Sequence, residues 1–324
     1  MVSLARRNLF HDKVRLVVTL TGIVFSVVLA TVQLGLFVGF QTATSDVIDN
    51  SRADLWVASK NVGHLESGVP FSERKLYQIL ATPGVARAEK QIVQFGDWKL
   101  PNGATEGILL VGFDPDGGMG GPWNIVEGSA ADLRAPDTVM VDELYREKLG
   151  VTHLGQVIEI RGYRARVVGL TRGIRTFTTS PATFTSFKNA QNYFGLREDQ
   201  TIYILVKAAP GANVEELRER LAARVHDVDV HTTAAWSRKQ QFYWMFGTGA
   251  GITVLIAAAF GILVGIVVVA QTIYAATVDH IREYGTLKAM GATNLYLYRV
   301  IIKQATTSAL IGYAIGMSVS LAVA

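Results

Sequence analysis

The chain has 324 residues, 49% of them hydrophobic and 18% charged, with a mean hydropathy of +0.26 and a formal net charge of +4. That is too apolar for most soluble proteins, yet rich in charge. The combination points to membrane helices joined to a sizeable water-exposed domain. There is no cysteine, which excludes a disulfide framework, a cysteine zinc site and a thiol nucleophile. The modest net charge gives no reason to expect a nucleic-acid partner.

Residues 1–15 carry Arg6, Arg7, Lys13 and Arg15 against Asp12 alone. Leu16 to Ser45 then run without a formal charge. A cleaved signal peptide is the alternative here, but its apolar region spans only about 7–15 residues. A hydrocarbon core about 30 Å thick takes about 20 helical residues to cross. The spacing therefore predicts a first transmembrane segment over 16–45, its apolar part reaching about Phe40.

Residues 46–239 hold 23 basic and 24 acidic residues and are long enough for their own core. Strand patterns are predicted at 53–58, 91–95, 107–113, 138–141, 157–160, 165–170 and 201–207. A helix is predicted over 71–80, with Ser72 as N-cap, Leu76, Ile79 and Leu80 as apolar face, and Pro83-Gly84 as terminator. Further helices are expected at 143–149 and 214–225. Mixed connections of this kind indicate an α+β domain. Asp114-Pro115-Asp116-Gly117-Gly118 hints at a calcium loop, but the position of the bidentate Glu is Ile125, so a turn is the reading. The six histidines (His11, His64, His153, His226, His231 and His280) show no metal-ligand spacing, and no metal is expected. Thr176 to Pro181 reads as a polar turn or an exposed contact loop.

Gln240 to Val278 and Gln304 to Ala324 are again free of Asp, Glu, Lys and Arg, so crossings are expected over 240–278 and 304–324. Both contain G-x-x-x-G pairs, Gly261/Gly265 and Gly312/Gly316, a spacing that lets helices approach closely. Packing within one copy and packing between two copies both suit them. Between the crossings lies a charged surface segment, 279–303. There Ile281, Tyr284, Leu287 and Lys288 follow the spacing of one helical face, and Gly291 sits where a helix stops. By the positive-inside rule the N-terminus and 279–303 face the cytoplasm, and 46–239 lies on the opposite side. The fold class is thus a membrane α-helical bundle, three crossings visible, with a large α+β extracytoplasmic domain between crossings one and two.

Arg282-Glu283-Tyr284-Gly285-Thr286-Leu287-Lys288-Ala289-Met290-Gly291-Ala292 resembles the R-E-x-G-x-x-[KR]-A-x-G-A signature of the FtsX-like permeases, the membrane subunits of MacB-type ABC transporters. Tyr284 and Thr286 are similar to the DevC branch, as is Gln33-Leu34-Gly35. Leu4 to Leu9 with Lys13 to Leu16 resembles the family's amphipathic N-terminal helix. Val139 to Glu143, Lys148 to Gly150, Gly155 to Ile160 and Val167 to Leu170 resemble the centre of the MacB-like periplasmic core domain. The resemblance implies that Arg282, Glu283, Gly285, Lys288, Met290 and Gly291 form a coupling helix docking on a separate ATPase, with Arg6, Arg7, Asn8 and Arg15 in the N-terminal cytoplasmic helix. It implies ATP bound by that partner rather than by this chain, which carries no G-x-x-x-x-G-K-[ST]. It also implies a bacterial inner-membrane location, a second permease copy, a membrane fusion protein with an outer-membrane channel, contact with membrane lipid, and a fourth crossing beyond Ala324. Two functions follow from it, export of an amphipathic molecule or lipid and FtsX-like control of a cell-wall hydrolase. A membrane-anchored enzyme is the remaining reading.

Overall fold

The structure, a computed structural model, describes residues 13–176, 180–279 and 281–323. The described chain divides into two compact units, one holding residues up to Gly39 together with Gly249 onward, the other Phe40–Thr248.

Among the described residues three helices are long and apolar enough to cross a membrane. Helix α1 (Lys13–Asp49) has 37 residues, about 55 Å of helix, which is longer than the hydrocarbon core is thick. It therefore continues into the second unit, where Val47 and Ile48 are buried in the larger core. The compact unit accordingly begins at Phe40, earlier than the charge pattern placed its edge.

In the second unit, β1 (Leu55–Ser59), β2 (Phe71–Ser72), α2 (Lys75–Leu80), β3 (Val85–Lys99), β4 (Thr105–Phe113), β5 (Ile125–Glu127), β6 (Thr138–Asp142), β7 (Val157–Ile160), β8 (Tyr163–Thr171) and β9 (Ala182–Ser186) come first. They are followed by α3 (Phe187–Tyr193), β10 (Gln200–Thr201), β11 (Tyr203–Ala208), α4 (Val214–Arg224), β12 (Val228–Thr232) and α5 (Thr233–Phe242). One mixed sheet runs β12-β1-β11-β3-β4-β9-β6-β8-β5, with β7 bridging β3 and β8. Strand β3 is its spine. Its first half pairs with β11, and its second half pairs with β4 and β7.

Alternation along the strands creates two cores. Leu55 and Val57 of β1, with Ile204 and Val206 of β11, face a small core completed by Ile79, Leu217 and Leu221. Trp56 and Ala58, with Tyr203 and Leu205, face the main core. Strands covered on both faces read as continuous apolar runs, which is why Leu55-Trp56-Val57-Ala58 lacks a polar beat. Helix α4 starts where Asn213 accepts hydrogen bonds from the backbone N–H of Glu215 and Glu216.

Two predicted helices are shorter than expected. Over 71–80 only Lys75–Leu80 is helical. Phe71 and Ser72 instead pair with Thr201 and Gln200 in a short ladder, so their backbone groups serve β2. Ser72 is not the N-cap; that position is Arg74. Over 143–149 only a 3-10 turn forms, Glu143–Tyr145, because the buried Asp142 carboxylate accepts from Leu144 N–H and fixes a tight turn at the strand end.

Candidate functional site

The charged stretch between the last two long helices forms a short helix. Helix α6 (Ala250–Asp279) is followed by α7 (Ile281–Ala289) and then α8 (Asn294–Val323). An acidic Glu283 in the first turn and a basic Lys288 in the last complement the helix dipole. Its C-terminus is closed by a Schellman pair: Ala292 N–H donates to the Leu287 carbonyl and Gly291 N–H to that of Lys288, both at 3.0 Å. Gly291 sits at φ +98°, which an L-residue adopts only with strain. Thr293 then accepts from Tyr296 N–H through its hydroxyl, starting α8 within two residues of the stop. The C-terminal end of this nine-residue helix is thereby fixed.

Tyr284 is buried and Leu287 half-buried, while Arg282, Glu283, Gly285, Lys288 and Met290 are exposed. Burial, with the Glu283 carboxylate beside it, pushes the Tyr284 phenol above its usual pKa. The expected single face is corrected in part. Ile281 is 61% exposed and Lys288 is exposed as well, because a helix this short is covered along little more than one turn. The face left open mixes both charges with the apolar Ile281 and Met290, and a Cβ at Gly285 would meet nothing. Such a surface suits docking onto another protein better than chemistry.

The small residues of the long helices are placed against α1 of the same chain. A Cβ on Gly261 would fall 3.1 Å from Leu29, on Gly265 2.8 Å from Ser26, on Gly312 2.5 Å from Ile23 and on Gly316 2.8 Å from Val27. Gly22 answers from α1, lying against Val268. Both G-x-x-x-G pairs thus bring backbones together within one copy. Arg6, Arg7 and Asn8 lie outside the described residues; Arg15 lies in the first turn of α1.

A polar clasp in the α+β domain escaped the sequence reading. Gln240 Nε2 donates to both Glu66 oxygens at 3.0 Å, and its Oε1 accepts from Leu65 N–H at 2.7 Å. His64 Nδ1 lies 3.0 Å from Glu66 Oε2, and its ring stacks on Tyr243 with centroids 4.1 Å apart. Tyr243 opens a π-helical turn, Tyr243–Gly247, a rare conformation found often at functional positions. Next to it, Gln241 donates to Ser45 on α1 at 2.9 Å. The adjacent glutamines were the available signal, hidden by an aromatic run that reads as a membrane interface.

The other sequence candidates have structural partners. The Asp114 carboxylate accepts from Asp116 N–H, and Gly117 lies flat against the Glu89 carboxylate. Among the described residues no His/Asp/Glu group has metal-site geometry. His231 stacks on Trp236 at 4.9 Å, and desolvation followed by the Lys239 charge lowers its pKa. The loop candidate at 176–181 falls partly outside the described residues.

Comparison with known proteins places these units. Residues 16–224 match the MacB-like periplasmic core domain, and residues 255–324 match the FtsX-like permease C-terminal family. An uncharacterized ABC transporter permease of Mycobacterium tuberculosis is 24% identical over 322 residues, covering 98% of this chain and 84% of that one, and its counterpart in a second strain gives the same figures. Among solved structures, the periplasmic region of MacB from Actinobacillus actinomycetemcomitans is similar with a TM-score of 0.43 and 12% identity, over 60% of this chain and 96% of that one. The extracellular domain of the noncanonic ABC-type transporter YknZ from Gram-positive bacteria follows at 0.41 and 14%, over 56% and 99%. With a core-domain match over residues 16–224, more than half of its length, and a permease match over 255–324, the chain belongs to the MacB/FtsX-type family of ABC transporter permeases.

Proposed function

We propose that this permease is the non-catalytic membrane subunit of a bacterial ABC exporter, passing the work of a separate ATPase to its α+β domain. The observation that carries the reading is α7, a short helix with a closed C-terminus and a mixed charged and apolar open face, set between two apolar helices. In this reading Arg282, Glu283, Gly285, Lys288, Met290 and Gly291 meet the ATPase on the cytoplasmic side, with the N-terminal residues Arg6, Arg7, Asn8 and Arg15 nearby. ATP is bound by the partner subunit. Two permease copies act together, and the α+β domain works outside the cytoplasmic membrane with a membrane fusion protein and an outer-membrane channel. The cargo is a lipid, glycolipid or other amphipathic molecule, and the movement is a hinge or shear transfer through stiff helices.

The test is affinity purification of the full-length protein in mild detergent, with co-purifying chains identified by mass spectrometry. An ATPase with a fusion protein supports export. An ATPase with a peptidoglycan hydrolase replaces export with control of cell-wall cleavage. An intact complex without any ATPase overturns the reading.

A further inference from the structure

Helix α8 carries two charged residues, Arg299 and Lys303, and both are basic. No acidic residue follows Glu283 in the sequence. The helical unit as a whole shares this imbalance: among its described residues Lys13, Arg15, Arg282, Lys288, Arg299 and Lys303 stand against Asp279 and Glu283 alone. Arg299 and Lys303 are exposed, and neither side chain has an ion-pair or hydrogen-bond partner among the described residues. They lie four positions apart, where like charges on a helix repel. An anion between them turns that repulsion into charge-assisted hydrogen bonds.

Their depth narrows the choice of anion. Gln304 to Ala324 carry no Asp, Glu, Lys or Arg, enough helix to cross a hydrocarbon core of about 30 Å. Lys303 therefore has no need to enter that core, and Arg299 lies about one helical turn further out. Both sit at the depth of lipid headgroups. Tyr296 and Tyr298, exposed on the same turns, are of a residue type enriched at that depth.

Their direction narrows it again. Positions nine apart on an α-helix are two and a half turns apart, on opposite faces. Ser308 and Gly312 are buried, the glycine against Ile23 of α1. Arg299 and Lys303 stand nine positions before them and so look away from α1. Their stripe continues into the apolar part of α8 as Thr306, Leu310 and Leu321, all exposed. Read inward from the surface, it presents a tyrosine, two cations, a hydroxyl and then leucines. That is the order of complements to a phospholipid: anionic head, ester region, acyl chain. An acidic surface of a water-soluble partner would satisfy the cations and leave the leucines open.

We infer that this outward face of α8 is a site for an anionic phospholipid, its phosphate held by Arg299 and Lys303 beside the Tyr296 hydroxyl, its acyl chain lying along Thr306 and Leu310. The inference rests on α8 crossing the membrane, and neither on export nor on an ATPase. The test is a native mass-spectrometric titration of the full-length protein in neutral detergent. The two lipids are phosphatidylglycerol and phosphatidylcholine with the same acyl chains. The wild type is expected to bind the anionic lipid several-fold more tightly than the zwitterionic one. Arg299→Gln with Lys303→Gln is expected to weaken phosphatidylglycerol binding about tenfold or more. Lys188→Gln with Arg197→Gln removes the same charge at exposed residues paired with Glu198 and Asp199 and is expected to leave binding unchanged, all variants keeping wild-type thermal unfolding. Equal binding of the two lipids by the wild type overturns the inference, with no variant needed. Equal phosphatidylglycerol binding by the Arg299/Lys303 double variant and the wild type overturns it as well, leaving these cations to a protein partner. Full displacement of the lipid by millimolar glycerol phosphate at constant ionic strength overturns it in favour of a free-anion site.

Discussion

Gly265 of α6 lies so close to Ser26 of α1 that a Cβ on the glycine would fall 2.8 Å from the Ser26 Cβ and 2.9 Å from its hydroxyl oxygen. That hydroxyl donates to the Gly22 carbonyl at 2.9 Å, so it has no freedom to swing aside. Gly265→Ala should therefore cost about 1–3 kcal/mol through overpacking. Ser26→Gly removes the obstructing atoms, and the pair should show a favourable coupling of about 0.5–3 kcal/mol in a double-mutant cycle. Thermal unfolding in detergent reads this out. Additive effects of the two changes would mean that the helices do not meet here.

Gln240 is fully buried and satisfies three groups of the Leu65 loop at once. Gln240→Leu keeps the bulk and leaves Leu65 N–H and the Glu66 carboxylate short of partners. The expected loss is about 1–3 kcal/mol, seen in urea unfolding followed by tryptophan fluorescence. A change within about 0.5 kcal/mol, the range of ordinary surface substitutions, would show that the clasp contributes nothing.

The surroundings of His231 give the α+β domain a pH dependence whose sign follows from its desolvation. Its pKa is lowered in the folded protein, first by desolvation and then by the Lys239 charge; Asp229 opposes this and Arg218 adds to it. Its Nε2 is buried without a partner, so a proton there gains no acceptor. The unfolded chain therefore binds the proton more readily. This contribution is fully present above the ordinary histidine value near 6.5 and is lost as pH falls below it toward the folded pKa. Urea midpoints should fall from pH 7.5 to pH 5.5 in the wild type and fall less in His231→Phe. Equal slopes in the two proteins would contradict the assignment.

Most of the architecture was legible because the relevant signals are local. Charge-free runs marked the membrane helices, and alternation in Ile202-Tyr203-Ile204-Leu205-Val206 marked a strand. Gly291 marked the end of α7, as the Schellman pair explains. What stayed hidden depends on partners distant in sequence. The run Ala182 to Ser186 was assigned no element, yet β9 is wholly buried beside β4 and β6. Phe71 and Ser72 look helical until Gln200 and Thr201, far along the chain, claim their backbone. The G-x-x-x-G pairs were visible, but their partner, α1, was not. Exposure was likewise unreadable at Ile281, whose spacing fits the covered face of α7 although most of its surface is open.

In the proposed function α7 receives force from an ATPase. The most direct measurement is stimulation of the partner ATPase by the permease reconstituted in nanodiscs, for the wild type, Glu283→Arg and Gly291→Trp. Glu283 is an exposed first-turn acid, and Gly291 holds a left-handed stop where a side chain brings about 1 kcal/mol of local strain. Both variants should insert and keep the wild-type unfolding of the α+β domain while losing most of the stimulation. Full stimulation by both variants would contradict the claim and leave α7 as a connecting turn between two membrane helices.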